Sequence, residues 1–357
     1  THNGGHIHEA ISTQPWSGEA NVHVSIVNWS KVEPVSYYLD NHSVSQINSS
    51  LKATVDISKA VRLLANKNIS FQGVIPVGKG FYIKSEQAEK WIENDLKNKE
   101  VLKLSSSASD LTDDPQGKPS RWIIDFNNMS LEDASEYKLP FEHIKVNVKP
   151  EREQNRREVT KLNWWKYGEK RPAMRTAIES LACYFSIPAH SKWFIFVPTS
   201  LDWLPNNSIH VVASDDFYIL GILTSNIHRI WIKAQSSTLE DRTRYTPNTC
   251  FETFPFPQKT SQELVEKIRK TANELHEYRS QQMEKKQWGI TKLYNQFFNE
   301  PSSQLYQLHQ KLDKLVMEAY HFQADDDILE KLLTLNLELA EKEKRGETVI
   351  GPWSPYS

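Results

Sequence analysis

The stretch Leu239 to Pro257, LEDRTRYTPNTCFETFPFP, sets Glu240, Arg242 and Arg244 two residues apart and then runs into a stiff aromatic and proline ending. In an extended strand every second side chain faces the same way, so these three would share one face. Two guanidinium forks beside a carboxylate suit base edges in a DNA major groove, where Arg donates to guanine and a carboxylate accepts from cytosine N4. That composition belongs to a reader of sequence rather than to a catalyst. The plainer reading is a solvated edge strand whose charges prevent edge-to-edge association, and spacing alone leaves both open.

Two other regions bear on phosphate. Gly73 to Gly80, GVIPVGKG, comes close to the pattern G-x-x-x-x-G-K-[ST], but Gly80 stands where a magnesium-ligating hydroxyl is required, and Val74, Ile75 and Pro76 read as strand. A nucleoside triphosphate site is not expected there. Bare amides and one ammonium still suit a DNA phosphate, which makes Lys79 a candidate backbone contact. Between Lys145 and Arg175, ten Lys or Arg stand against four Glu, with Trp164, Trp165 and Tyr167 interleaved. Cations clustered against a duplex release counterions. The two tryptophans could stack on a ligand or pack in a core. Arg171 and Arg175 lie four apart, on one helical face, so backbone contacts are expected from them, with Lys166 or Lys170 assisting.

The totals bound the rest. A chain of 357 residues, 38% hydrophobic and 11% aromatic, predicts two or three domains with real cores. A net charge of -2 argues against a uniformly basic nucleic-acid binder, so DNA contact has to come from local clusters. Cys183 and Cys250 stand far apart with no C-x-x-C pair, which suggests neither a disulfide framework nor a cysteine zinc site, and a reducing cytoplasm is the simplest home. His6 and His8 alternate like strand neighbours but lack a third ligand, so no metal site is expected. No apolar run suits a bilayer and no signal peptide is visible. H-E-x-x-H, G-x-S-x-G and a complete G-x-G-x-x-G are all absent. Asp215 and Asp216 are adjacent, so on a strand they would face opposite ways, and they read as a turn. No catalytic residue is assigned. The first residue is Thr and a strand-like pattern follows almost at once, which looks like a piece of a longer protein.

Residues 6 to 13 and 21 to 29 predict an antiparallel strand pair, and 41 to 60 reads as a linker. From Ile69 to Pro257, β-rich runs (FQGVIPVGKGFYI, RWIIDF, HIKVNV, WFIFV, IHVVAS, FYILGIL) alternate with helical segments such as SEQAEKWIENDL and RPAMRTAIESLACYF, a mixed α+β pattern. Pro172 falls near a first helical turn. After Pro257, Leu264, Ile268, Ala272 and Leu275, then Leu305 to Phe322, then Ile328 to Leu339, recur at helical spacing. Ser261 and the Asp325 to Asp327 triplet sit where helices begin.

Several of these strings together resemble one family. WSGEANVHVSIVNW, VGKGF, WIIDF, PAMRTAI, RYTP, FETFPFP and ILEKLLTLN are similar to the C-terminal part of type IIG (MmeI-like) restriction-modification enzymes, in which an E-x-R-x-R-Y segment precedes an F-x-x-F-P-x-P close. The resemblance implies residues 1–40 as the edge of a truncated class I methyltransferase fold, a linker at 41–60, a target-recognition domain over 61–258 and a helical module over 259–357. It implies double-stranded DNA as partner, with Glu240, Arg242 and Arg244 reading bases and Lys79, Lys166, Arg171 and Arg175 holding the backbone. The parent would be an adenine-specific methyltransferase with endonuclease, using S-adenosyl-L-methionine and Mg2+. The N/D-P-P-Y/F loop and F-x-G-x-G turn of that chemistry occur nowhere in these residues, so the N-terminal methyltransferase and nuclease domains lie outside them and the fragment alone is expected to be inactive. A helical protein-interaction scaffold, supported by the stripe from Leu305 to Phe322, is the alternative.

Overall fold

The computed structural model describes residues 5–16, 22–44, 46–48, 51, 53, 55–236, 238–239 and 242–356. The fold is α+β. Strands His6–Pro15 and His23–Ser30 pair antiparallel, with Tyr37–Leu39 parallel to the first and His42–Val44 beyond it. Two further sheets form the body of the molecule. One runs Val197–Thr199, Tyr184–Pro188, Ile209–Val212, Ser70–Gln72, antiparallel throughout. The other runs Trp203–Pro205, Leu102–Ser106, Arg121–Ile124, Tyr82–Ile83, with Trp203–Pro205 parallel to its neighbour. A small sheet has Arg242–Arg244 at its centre, between His190–Ser191 and Thr238–Leu239.

Three runs read as strands are something else. HIKVNV belongs to the helix Lys138–Asn147, where Phe141, Ile144 and Val148 turn inward at helical spacing and Val146 faces solvent. FYILGIL is the helix Phe217–Thr224, buried on all sides after Phe217, with Asp216 accepting from Tyr218 N at 2.9 Å as its cap. An apolar run covered on every face carries no periodicity, so pattern alone cannot separate a buried strand from a buried helix. Gly221 decides the packing there, because a Cβ would come within 2.6 Å of Ile268 Cγ2. Of WFIFV, only Val197 enters a strand, while Phe194, Ile195 and Phe196 are buried without ladder pairing.

The C-terminal region holds helices Gln262–Lys286, Ile290–Phe297, Gln304–Ala319 and Ile328–Lys344. Ser261 accepts from Leu264 N, and Asp327 from Leu329 N and Glu330 N, so the acidic triplet is a helix start. Leu305, Leu312, Val316 and Ala319 are buried within the chain's own core. The stripe that favoured a scaffold is therefore occupied. A second cluster, under the helix Lys138–Asn147, gathers Phe81, Ile123, Phe141, Trp164, Trp165 and Tyr167.

The FETFPFP segment is fastened from both sides by buried asparagines. Asn66 Nδ2 lies 2.8 Å from Phe254 O and 3.2 Å from the carbonyls of Phe251 and Glu252. Asn336 accepts from Val61 N at 2.9 Å and donates to Val61 O and Thr253 O at 2.8 and 2.7 Å. Replacing Asn336 by Leu preserves volume but strands those three backbone groups, so urea unfolding should show a loss of about 2–4 kcal/mol. A loss below about 0.5 kcal/mol, the range of ordinary surface changes, would mean that the segment is held elsewhere.

Candidate nucleic-acid interface

In the small sheet, His190 pairs with Arg244, Ser191 and Thr238 with Thr243, and Leu239 with Arg242. Glu240 lies outside the described residues, as does the side chain of Arg242; Arg244 is exposed. The next residue, Tyr245, is 1% exposed. Its ring meets those of Phe196, His210 and His228 at centroid distances of 5.7, 5.9 and 6.1 Å, and its N–H donates to Ala189 O at 3.0 Å. Inward Tyr245 and outward Arg244 are two statements of one alternation. After it, a π-type turn at Pro247–Phe251, closed by Glu252 N to Pro247 O at 2.8 Å, buries Cys250 and leads into FETFPFP.

The histidines beneath the strand are held neutral. Burial pushes His210 down to about 4, against a backbone hydrogen bond with Tyr245 and aided by the charges of Arg244 and His190. Burial likewise pushes His228 down to about 4, although its Nδ1 lies 2.9 Å from Leu223 O.

The Gly73 to Gly80 turn is not a phosphate cradle of the nucleotide-binding kind. Val74 bridges to Asn206 and Ile75 to Glu169, so the turn is sewn into the sheets. Beyond them the backbone turns sharply, with Val77 at φ 56° and Gly78 at φ 141°. A β-branched residue in the left-handed region is strained, and Arg152 is what holds it. This guanidinium, 2% exposed, donates to Pro76 O at 2.5 Å, Val77 O at 3.0 Å and Lys166 O at 3.3 Å, and lies over the Phe81 ring. Lys79 stands exposed at the end of the turn. Arg152 was counted in the basic patch but not singled out, because nothing in one sequence shows which cation of a run turns inward.

The other candidates divide. Arg171 sits just before the helix Pro172–Ile178, with left-handed backbone (φ 55°, ψ 56°), so it does not share that helix's face with Arg175 as the four-residue spacing suggested. It reaches Gly73 O at 3.4 Å, Gln72 Oε1 at 3.2 Å and Glu169 at 3.6 Å, leaving its side chain 28% exposed. Arg175 pairs with buried Asp125 at 2.8 Å and donates to Lys170 O. Both are occupied within the chain. Lys166 and Lys170 both contact Asn128, through its O and Oδ1 respectively, and burial with the Lys170 charge lowers the Lys166 ammonium. Trp164 and Trp165 are only 7% and 8% exposed, edge to face at 6.1 Å, and Trp165 Nε1 donates to Met129 O. Of their two open roles, this geometry is packing. Arg156 and Arg157 stand exposed on the same stretch. The basic surface and the reading strand meet through one sheet, since Gln72, which Arg171 touches, pairs with His210 under Tyr245.

The sequence profile of the family described as MmeI, target recognition domain, matches residues 52–258. DNA methyltransferase A of Bacillus subtilis (strain 168) is 32% identical over 166 residues, covering 44% of this chain and 18% of that protein. A solved structure of the type IIL restriction-modification enzyme MmeI in complex with DNA superposes with a TM-score of 0.75 over 96% of this chain and 46% of its own, at 20% identity, a likeness of fold. The chain spans less than half of either protein.

Two outcomes follow from the packing under Arg244. Tyr245→Ala should cost about 3–5 kcal/mol as a large ring lost from a core. Tyr245→Phe should be neutral or stabilising, because the buried hydroxyl has no partner; a loss above about 1 kcal/mol would point to an unrecognised acceptor. On the acid side, the unfolded chain binds protons at the ordinary histidine value of 6.5, whereas folded His210 and His228 resist them to about 4. Their contribution is complete above pH 6.5 and disappears as pH falls towards 4. His228→Gln should make stability less steep in that window by one proton, read from denaturation at a series of pH values; an unchanged slope would refute the assignment.

Proposed function

Because this chain belongs to the MmeI target recognition domain family, we propose that it reads base sequence in double-stranded DNA as the specificity part of a restriction-modification enzyme. The observation that carries the reading is Arg244, exposed on the central strand of a sheet whose next residue is buried. In this reading Glu240, Arg242 and Arg244 meet base edges, each good pair being worth roughly 1–3 kcal/mol of discrimination. Lys79 and Lys166 hold phosphates and set the register. Arg171 and Arg175 act there through the exposed parts of side chains whose main partners are internal.

The longer protein is, on the same proposal, an adenine-specific methyltransferase with endonuclease activity working in the cytoplasm. Its other domains would join at residues 1–40, where Ile26, Val27 and Trp29 are exposed on the first sheet. S-adenosyl-L-methionine and Mg2+ would serve those domains. The residues of this chain do not fit either group: the described ones bring no three His, Cys, Asp or Glu together that could hold a metal ion, and the cofactor and base-holding motifs are missing from the sequence. Among the described residues no helix is long and apolar enough to cross a membrane.

Selection of bound duplexes from a randomised pool, followed by binding at two salt concentrations, tests the division of roles. Arg244→Ala should broaden the tolerated base at one position. Lys79→Ala should weaken all sequences alike and reduce the salt slope by about 1. The same uniform loss from both substitutions would sink the assignment, and no salt-sensitive binding by the intact chain would sink the function.

A further inference from the structure

A cleft of about 220 Å3 lies between the long helix Gln262–Lys286 and the recognition region. His276, Arg279 and Ser280 line it from the helix, Trp203 and Gln116 from the recognition side, and Glu284 at the exposed rim. Arg279 is 1% exposed. It donates to Phe196 O at 2.5 Å and reaches Tyr294 Oη at 3.4 Å, its buried Nε has no partner, and among the described residues no carboxylate pairs with it. Elsewhere the chain treats such arginines differently. Arg229 has Asp313 at 3.1 Å, Arg175 has Asp125 at 2.8 Å, and Arg152 has three carbonyls. Burying a cation with neither a counter-charge nor a full set of acceptors is strongly unfavourable.

His276 repeats the pattern three residues earlier, on the same helical face, with a buried Nδ1 that also lacks a partner. Burial and the Arg279 charge push its imidazole down to about 3, so it is neutral and free to present an N–H at either nitrogen. Two donors and the Ser280 hydroxyl thus converge on a space large enough for several waters or for one tetrahedral anion with waters, at about 30 Å3 per water. Glu284 is exposed and engaged by Gln116 Nε2 at 3.4 Å, where solvent screens its charge.

We propose that this cleft binds a small oxyanion of the phosphate class, held by Arg279 and His276, which neutralises the buried guanidinium and ties the helical region to the recognition region. The anion is either free in solution or a phosphate of the DNA backbone. Neither source requires that the chain read sequence.

Thermal unfolding of the full chain in about 10 mM phosphate, against chloride at equal ionic strength, tests it. The melting temperature should rise by about 2–3 °C in phosphate, as a ligand in several-fold excess over its dissociation constant gives for a chain of this size. His276→Glu places a carboxylate three residues before Arg279 and should remove the response while raising the melting temperature in chloride. Ser280→Leu fills the cleft without touching the partners of Arg279 and should remove the response as well. Saturating duplex DNA distinguishes the sources: a response that disappears assigns the anion to the backbone, and one that persists assigns it to solution. Equal melting in phosphate and chloride, or a response retained in either variant, would overturn the proposal.

Discussion

Inward and outward alternate along a strand, so whatever fixes one side chain fixes its neighbours. Here the fixed residue is Tyr245, enclosed by Phe196, His210 and His228. A three-residue strand such as Arg242–Arg244 has too few ladder bonds to hold its own register. The buried ring supplies what the ladder does not, and with it the direction of Arg244. The same burial keeps two histidines neutral, so the cation above them is not accompanied by charge below.

A chain of net charge -2 can meet a polyanion only where its cations are left over from internal pairing. The ten basic residues from 145 to 175 show how uneven that remainder is. Arg152 is consumed in bracing a strained turn and Arg175 in pairing with Asp125, whereas Lys79, Arg156 and Arg157 are exposed. The internal ones are not idle. Without Arg152, nothing else described donates to Pro76 O and Val77 O across that turn, and the exposed ammonium of Lys79 would lose its fixed position.

Much of the architecture could be read from local chemistry. RWIIDF and IHVVAS alternate as their strands do, Ser261 and Asp327 cap helices as their positions suggest, and the N-terminal strand pair forms. What could not be read depends on partners distant in sequence. FYILGIL becomes a helix because helix Gln262–Lys286 covers it, and HIKVNV because Phe141 and Ile144 face a core built from Phe81 and Trp164. Arg171 leaves the helix it was placed on because Pro172 occupies the first turn, while the guanidinium is drawn to Gln72 and Gly73. At the interface, Arg244 was legible as an outward residue, but Tyr245 as its anchor was not, since the ring's three neighbours come from three separate segments.

The helical region is not an appendage to the recognition region. One apolar cluster holds Phe185, Tyr245 and Phe254 together with Leu264, Leu312 and Leu332, so the change in sequence character after Pro257 does not mark a break in the core. Polar links cross the same boundary, through Arg229 to Asp313 and through Asn336 to Val61 and Thr253. Helix Phe217–Thr224 lies at the centre of this arrangement, and its Gly221 admits Ile268 so closely that the two helices cannot separate without opening the core. Because that core is continuous with the cage around Tyr245, loosening the tail would loosen the strand that carries Arg244. Rigidity at the reading edge is therefore supplied from residues that come after it in the chain and that need not touch DNA.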